Sequence, residues 1–282
     1  MKLKISCLIA CAVVSIVCGT AAQQVPDAAT EAEVIGLPLT GDEAVAFLGS
    51  ATVVGEPEYF DPVAITGPAR VHLTDGKRTV RAVFKDENTL YPRFEFGDGR
   101  QVERLKDSYR HEIAAFELDR LLGLGLVPPC VERKLFGRTG SLCLWIEASR
   151  PEDERRDEGM VPPDEQAFRN QRREVRLFQQ LIADLDFSNI RNIVVDDNFR
   201  VYKIDSSLAF DTDSGLIDQL DPGSYSLRFL DALESVDRAD LDARLEPWLS
   251  KRQRKALWAR RDKILDRAET LIAERGEAAV LY

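Results

Sequence analysis

The chain has 282 residues, 44% hydrophobic and 30% charged, with 48 acidic against 38 basic residues and a formal charge of −10. That length suffices for one large domain or two small lobes with a proper core. The acidic balance argues against nucleic acid or an anionic membrane surface as the main partner.

The N-terminus departs from ordinary globular composition. Lys2 and Lys4 precede an apolar run from Ile5 to Val17, then Gly19-Thr20-Ala21-Ala22. A basic start, an apolar stretch too short to span a bilayer comfortably and a small-residue exit read as a signal peptide, Met1–Ala22. A lipoprotein cut before Cys18 is the less favoured alternative, because Val17 is bulky for the preceding position. Either route places the protein outside the cytoplasm, secreted or periplasmic, with no stable membrane span after cleavage. Cleavage removes two lysines and no acids, leaving 36 basic against 48 acidic residues and a charge of −12. Cys7, Cys11 and Cys18 leave with the leader, so only Cys130 and Cys143 remain, too few for a disulfide framework or a four-ligand zinc site. A cross-strand disulfide and two separately buried thiols are both compatible with their spacing.

Residues 23–37 are small, polar and acidic, a mobile linker. Thr40-Gly41-Asp42 opens a short helix with Ala44, Val45, Phe47 and Leu48 as its apolar residues. A Pro- and Gly-containing stretch ends at Ile65-Thr66-Gly67-Pro68. Asp75-Gly76 is a two-residue hairpin turn between Arg70–Leu73 and Thr79–Phe84, and the second strand delivers Lys85. Asp107-Ser108 caps a helix whose apolar face is Ile113, Ala114, Leu118, Leu121 and Leu122, with Glu112 in an early turn and Gly123 as the stop. After Pro128-Pro129, Cys130 to Glu147 reads as a hairpin turning at Phe136–Gly140. Residues 150–166 are a charged linker or lid. Tyr225–Glu234, Asp240–Leu249 and Lys251–Arg275 read as helices, and the basic clusters Arg169–Arg176 and Lys251–Lys263 as solvated faces.

Leu177 to Phe210 concentrates the chemistry. Val175, Phe178 and Ile182 share a helical face, and the pattern breaks at Asp184-Leu185-Asp186. Asn192 opens the strand Ile193–Val195, Asp196-Asp197-Asn198 turns it, and Val201–Ile204 returns to deliver Asp205. An Asp, an Asn six residues on and an Asp after the next hairpin are the side chains with which kinases orient a hydroxyl and hold Mg²⁺. Turn residues imitate such patterns easily, so the Lys85 and Glu112 positions upstream, in that chain order, strengthen the reading.

The run Asp107 to Asp119, followed by Leu121-Leu122-Gly123-Leu124 and Val127-Pro128-Pro129, resembles the E-x-A-A-[YF]-x-L-D-x-L-L-G signature of an atypical kinase-like clan. That clan includes secretory-pathway protein kinases, HipA-type kinases and the phosphatidylinositol 3- and 4-kinases. Asp184 to Asp196 and Ile204 to Phe210 resemble the loops of its poorly characterised bacterial branch. The resemblance covers roughly Val71 to Phe210 and implies an α+β, two-lobed, protein-kinase-like fold. It implies a small β-rich N-lobe over residues 38–148 and a mainly helical C-lobe over 149–282. It implies binding of ATP with Mg²⁺ or Mn²⁺, and an unknown protein or small-molecule hydroxyl substrate.

By that resemblance Lys85 binds phosphate and Glu112 pairs with it, Gly67 stands near the phosphates, Asp186 is the catalytic Asp, and Asn192 and Asp205 are the metal ligands. Phe187 stands where relatives carry a basic residue, Ser206 replaces the residue after the metal Asp, and the loop is one residue longer than usual. Asp184 with Asn189 restores the shorter spacing, so Asp184 is the alternative catalytic residue. The implied function is an ATP- and metal-dependent phosphotransferase. A pseudokinase acting as a binding module, or nucleotidyl transfer on the same residues, is the alternative.

Overall fold

Alternation in the first strands buries one face of a sheet. In the computed structural model, which describes residues 34–59 and 68–282, β2 (Ala69–Thr74) buries Ala69, Val71 and Leu73 and leaves the residues between them half-exposed. It pairs antiparallel with β1 (Thr52–Tyr59) and β3 (Thr79–Lys85). The β2–β3 turn is held by Asp75, whose carboxylate accepts the amides of Lys77 and Arg78, with Gly76 at φ +85°. Helix α1 (Gly41–Ser50) lays Ala44, Phe47 and Leu48 into the same core as Leu73 and Phe84.

Two further hairpins follow. β4 (Asn88–Glu95) and β5 (Gln101–Ser108) form a ribbon of their own. β6 (Cys130–Leu135) and β7 (Arg138–Leu144) complete a five-stranded sheet in the order β1-β2-β3-β7-β6. Cys130 and Cys143 are directly opposite in that pairing and are joined as a disulfide. Gly140 lies within β7, opposite Arg133, rather than in the turn, and the position requires glycine because a Cβ there would sit 2.2 Å from the Lys85 carbonyl oxygen.

Between the hairpins runs α2 (Tyr109–Leu122). Ser108 caps it, accepting from the Arg110 amide, and Gly123 ends it at φ +66°. Although it precedes the sheet's last strands, α2 buries Ile113, Leu118 and Leu122 in the helical core rather than the sheet core.

The second half is mainly helical. α4 (Glu165–Ile182), α5 (Leu227–Ser235), α6 (Arg238–Leu245), α7 (Lys251–Arg275) and the terminal turn α8 (Glu277–Val280) share that large core. For element order, the short α3 (Glu152–Asp157) precedes α4. A three-stranded sheet, β10 (Val201–Lys203), β9 (Ile193–Asp196) and β8 (Ser149–Pro151), sits at the junction. Among the described residues no helix is long and apolar enough to cross a membrane.

Four expectations are corrected. Residues 150–166 hold β8 and α3, not an open linker, because Glu152 is fully buried and gathers Arg155, Arg156 and Arg172. The same Arg172 contact takes one residue out of the solvated face expected at Arg169–Arg176. Arg260, expected on a solvated face, is fully buried and donates to the carbonyls of Leu181, Asp211 and Asp213. The linker expected over 23–37 is described from Val34, where Gly36 exchanges two backbone hydrogen bonds with Glu147. The leader, Cys18 and Gly67 lie outside the described residues.

Candidate active site

Strand β3 ends on Lys85 at the back of a cleft of about 480 Å³ between the two lobes. Val83, Cys143, Leu144, Ile146, Val194 and Ile204 give the cleft apolar walls, and Lys85, Glu112 and Asp205 line its polar end. The segment after β7 presents an informative backbone. Glu147 spends its N–H and C=O on Gly36, and Trp145 donates to Arg81. The intervening Ile146 is buried and lines the cleft, and its N–H makes no hydrogen bond among the described residues. A buried unpaired donor in an apolar slot suits the acceptor edge of a flat heterocycle.

Lys85 bridges two carboxylates. Its Nζ is 3.0 Å from Glu112 Oε1 and 2.7 Å from Asp205 Oδ1. Burial works against the ammonium charge, but Asp205 and Glu112 outweigh it and raise the lysine above its ordinary value. Burial likewise opposes ionisation of Asp205, yet Lys85 holds that carboxyl well below the usual range. Glu112 goes the other way, raised by burial and by the Asp205 charge against the pull of Lys85. Its second oxygen accepts the Ser206 amide at 3.0 Å, tying α2 to the Asp205 loop. Asp205 itself has φ +54°, a left-handed conformation that costs an L-residue about 1–2 kcal/mol and that Asp tolerates better than most.

The loop from Asp184 to Asn192 is built from two successive tight turns. The Asn189 amide donates to the Asp186 carbonyl and the Asn192 amide to that of Asn189. These turns absorb the extra residue and return Asn192 to Asp186. The Nδ2 groups of Asn192 and Asn189 both donate to Asp186 Oδ2, at 2.8 and 3.0 Å. Burial pushes the Asp186 carboxyl up, the Asn189 hydrogen bond opposes this, and the charges of Asp184 and Asp205 add to the rise. Ile204 donates its amide to the Asn192 carbonyl at 2.9 Å, so Asn192 and Asp205 stand on neighbouring backbone.

Asp184 is placed differently. It is fully buried, and its oxygens meet Lys203 Nζ at 3.1 Å, Gln179 Nε2 at 2.9 Å and the Asp186 amide at 3.1 Å. With those contacts both its oxygens are engaged inside the protein and hold the loop. Lys203, which the sequence pattern did not single out, is also fully buried and donates to the carbonyls of Ile204 and Asp205 at 2.6 and 2.8 Å. It fastens the Asp184–Asn192 loop to the Asp205 loop. His111 ties the Asp205 loop to α2 and α7: Nδ1 lies 2.9 Å from the Ser207 carbonyl and Nε2 3.0 Å from Gln253 Nε2 of α7.

The residues present fit a hard divalent cation. Asn192 donates its amide nitrogen to Asp186, which leaves its oxygen for a cation beside the ionised Asp205. Among the described residues no cluster of three or more His, Cys, Asp or Glu forms an all-protein metal cage. One carboxylate and one amide match Mg²⁺, whose remaining positions go to water and phosphate oxygens.

No family model and no curated protein matches the sequence. Solved structures do. Hydra Fam20, in a structure with sugar, superposes with a TM-score of 0.61 at 17% identity, over 86% of this chain and 93% of its own. The chain has the two-lobed fold of the atypical kinases. The Helicobacter pylori proinflammatory kinase CtkA matches more loosely, with a TM-score of 0.44 and 12% identity over 81% of this chain and 98% of its own. Choline kinase LicA from Streptococcus pneumoniae reaches a TM-score of 0.27 at 10% identity, over 83% and 97%. The Fam20 likeness, at 17% identity, shows the fold alone and no substrate.

Proposed function

We propose that the protein is an ATP- and divalent-metal-dependent phosphotransferase acting on a hydroxyl acceptor. The observation that carries the reading is the buried Lys85 held between Glu112 and Asp205 at the polar end of an apolar cleft. A buried lysine with two carboxylates has no advantage over apolar packing for stability alone, but it suits binding of a polyphosphate. In this reading the apolar walls and the Ile146 amide seat the base, Lys85 holds phosphate oxygens, and Asn192 and Asp205 hold the metal. When bound, the metal neutralises charge on the phosphate oxygens. Asp186, with its pKa raised and its orientation set by two Asn amides, accepts the proton of the acceptor hydroxyl. Location outside the cytoplasm belongs to the same proposal, supported by the leader sequence and by a disulfide suited to an oxidising compartment.

A second reading is a pseudokinase, a binding module on the same cleft. It is favoured by Asp205 being closed onto Lys85 and by Phe187 in place of a cation. Thermal melting with ATP, with and without Mg²⁺ or Mn²⁺, together with label transfer from γ-labelled ATP, separates the two. Nucleotide at a hundred times its dissociation constant stabilises by about 2.7 kcal/mol. Asp205→Ala should abolish the metal-dependent part of that shift. Asp186→Ala should keep the shift and lose transfer. A wild type that melts higher with nucleotide but transfers nothing is a pseudokinase. A melt indifferent to nucleotide and metal defeats both readings.

A further inference from the structure

The residue after Asp186 is Phe187, and the resemblance puts a cation there. The structure puts a cation over it. The β4–β5 ribbon starts beside Ser108, whose amide donates to the Ser207 carbonyl at 3.0 Å. From there it runs to a tip, Phe96 to Arg100, that reaches the catalytic loop. Arg100 Cζ sits 4.2 Å from the centroid of Phe187 and 4.6 Å from that of Phe96, a guanidinium sandwiched between two rings. One Nη2 hydrogen bond reaches Ser188 Oγ at 3.2 Å, and Nε meets Asp98 Oδ2 at 2.7 Å. Nη1 makes no hydrogen bond or ion pair among the described residues.

Three features set this apart from surface decoration. Phe96 is buried on an otherwise largely exposed ribbon, so the tip is packed in place. The Arg100–Asp98 pair is about one-third exposed and screened by water, so the ion pair alone would not hold the tip; the two rings do. The contacts fall on the two residues that directly follow Asp186 and on no other part of the loop.

We propose that Arg100 supplies through space the positive charge that the resembled clan carries in sequence directly after its catalytic aspartate. The ribbon is then part of the acceptor side of the site, and Arg100 is its positioning cation: it fixes Phe187 and Ser188 and directs its unused Nη1 toward negative charge developing there. The inference rests on the phosphotransferase reading.

The test moves the charge. Turnover of γ-labelled ATP, with water or the protein itself as acceptor, is measured for wild type, Arg100→Ala, Arg100→Lys and the double variant Arg100→Ala/Phe187→Arg, alongside each variant's melt with and without ATP and metal. Arg100→Ala should lower kcat about 100-fold, the low end of the range seen when one charge-stabilising donor is lost, with the nucleotide-dependent melt shift unchanged. Arg100→Lys should keep part of the rate. The double variant, which destroys the ring sandwich but restores a cation at 187, should recover most of it. A rate within twofold of wild type in Arg100→Ala overturns the proposal and leaves the phosphotransferase reading intact. So does a folded double variant no faster than Arg100→Ala, which would make the tip a mechanical clasp only. A wild type that binds nucleotide and transfers nothing overturns both.

Discussion

Acidification should weaken the fold through one histidine, and the partners of His111 set the sign. A carbonyl only accepts, so Nδ1 donates its proton to the Ser207 oxygen. Gln253 presents its amide nitrogen, because its Oε1 already accepts from the Ser250 amide and hydroxyl and its Nε2 also donates to the Phe210 carbonyl. Nε2 of His111 is therefore an unprotonated acceptor. A second proton would face a donor, in a site that is 3% exposed with Lys106 and Arg110 nearby. Burial accordingly lowers the imidazole from 6.5 to about 4. Because the folded pKa lies below the unfolded one, the unfolded chain takes up the proton first, and stability falls as pH drops from about 6.5 toward 4. The full gap is worth about 3 kcal/mol, and about 2 kcal/mol of it is lost between pH 7.5 and 5. Asp107 and Asp119 are both pushed up to about 6 by burial and titrate with the opposite sign. The informative quantity is therefore the difference between wild type and His111→Asn, which keeps a donor for Ser207. Denaturant unfolding at five pH values should show wild type losing about 2 kcal/mol relative to the variant by pH 5. A difference that stays constant within about 0.5 kcal/mol over that range would refute the assigned protonation and its burial cost.

Three other outcomes are expected. Gly140→Ala forces a methyl to within 2.2 Å of the Lys85 carbonyl oxygen and 2.9 Å of the Phe84 ring; it should cost about 1–3 kcal/mol and weaken nucleotide binding, read as a lower melt and a smaller ATP shift. Lys203→Met leaves Asp184 buried without its cation and should cost about 3–5 kcal/mol, whereas Lys203→Met/Asp184→Asn should recover much of that in chemical denaturation. Replacing Cys130 and Cys143 by Ser opens a loop with a sequence separation of 13 and should lower stability by about 3 kcal/mol in non-reducing buffer, while wild type in reductant falls to the variant's level.

Part of this molecule is legible in one dimension. Lys85 and Asp205 each follow an apolar strand run and Asn192 opens one, so the element that carries the side chain also advertises it. The β4–β5 ribbon does not. Asn88–Glu95 has no buried face to create an alternating pattern, and Pro92 counts against a strand. The usable signal was Asp98-Gly99 between Phe96 and Val102, a turn flanked by apolar residues. Arg260 had a signal too. It shares the stripe of Leu257, Ile264, Ala268 and Leu271 on α7, all buried, and a charge on an apolar stripe points to a bound partner rather than to solvent.

The choice between Asp184 and Asp186 shows where local pattern stops. Both are acids in the same loop, and spacing to Asn189 or Asn192 supports either. What separates them is a long-range fact: Lys203, delivered by β10, occupies Asp184 from within the core. In the strand Val201–Lys203 that lysine reads as the end of an apolar run, and its partner lies across a hairpin. Burying an ion pair of this kind is expensive unless its remaining hydrogen bonds are satisfied. Here they are satisfied by the backbone of Ile204 and Asp205 and by Gln179 and the Asp186 amide. The same contacts that make the pair tolerable therefore set the position of Asp186 and the conformation of Asp205. In this loop Asp184 and Lys203 do the holding; among the described residues Asp186 is fixed by two asparagines and pairs directly with no cation, and in the proposed reaction it is the carboxylate that meets the acceptor.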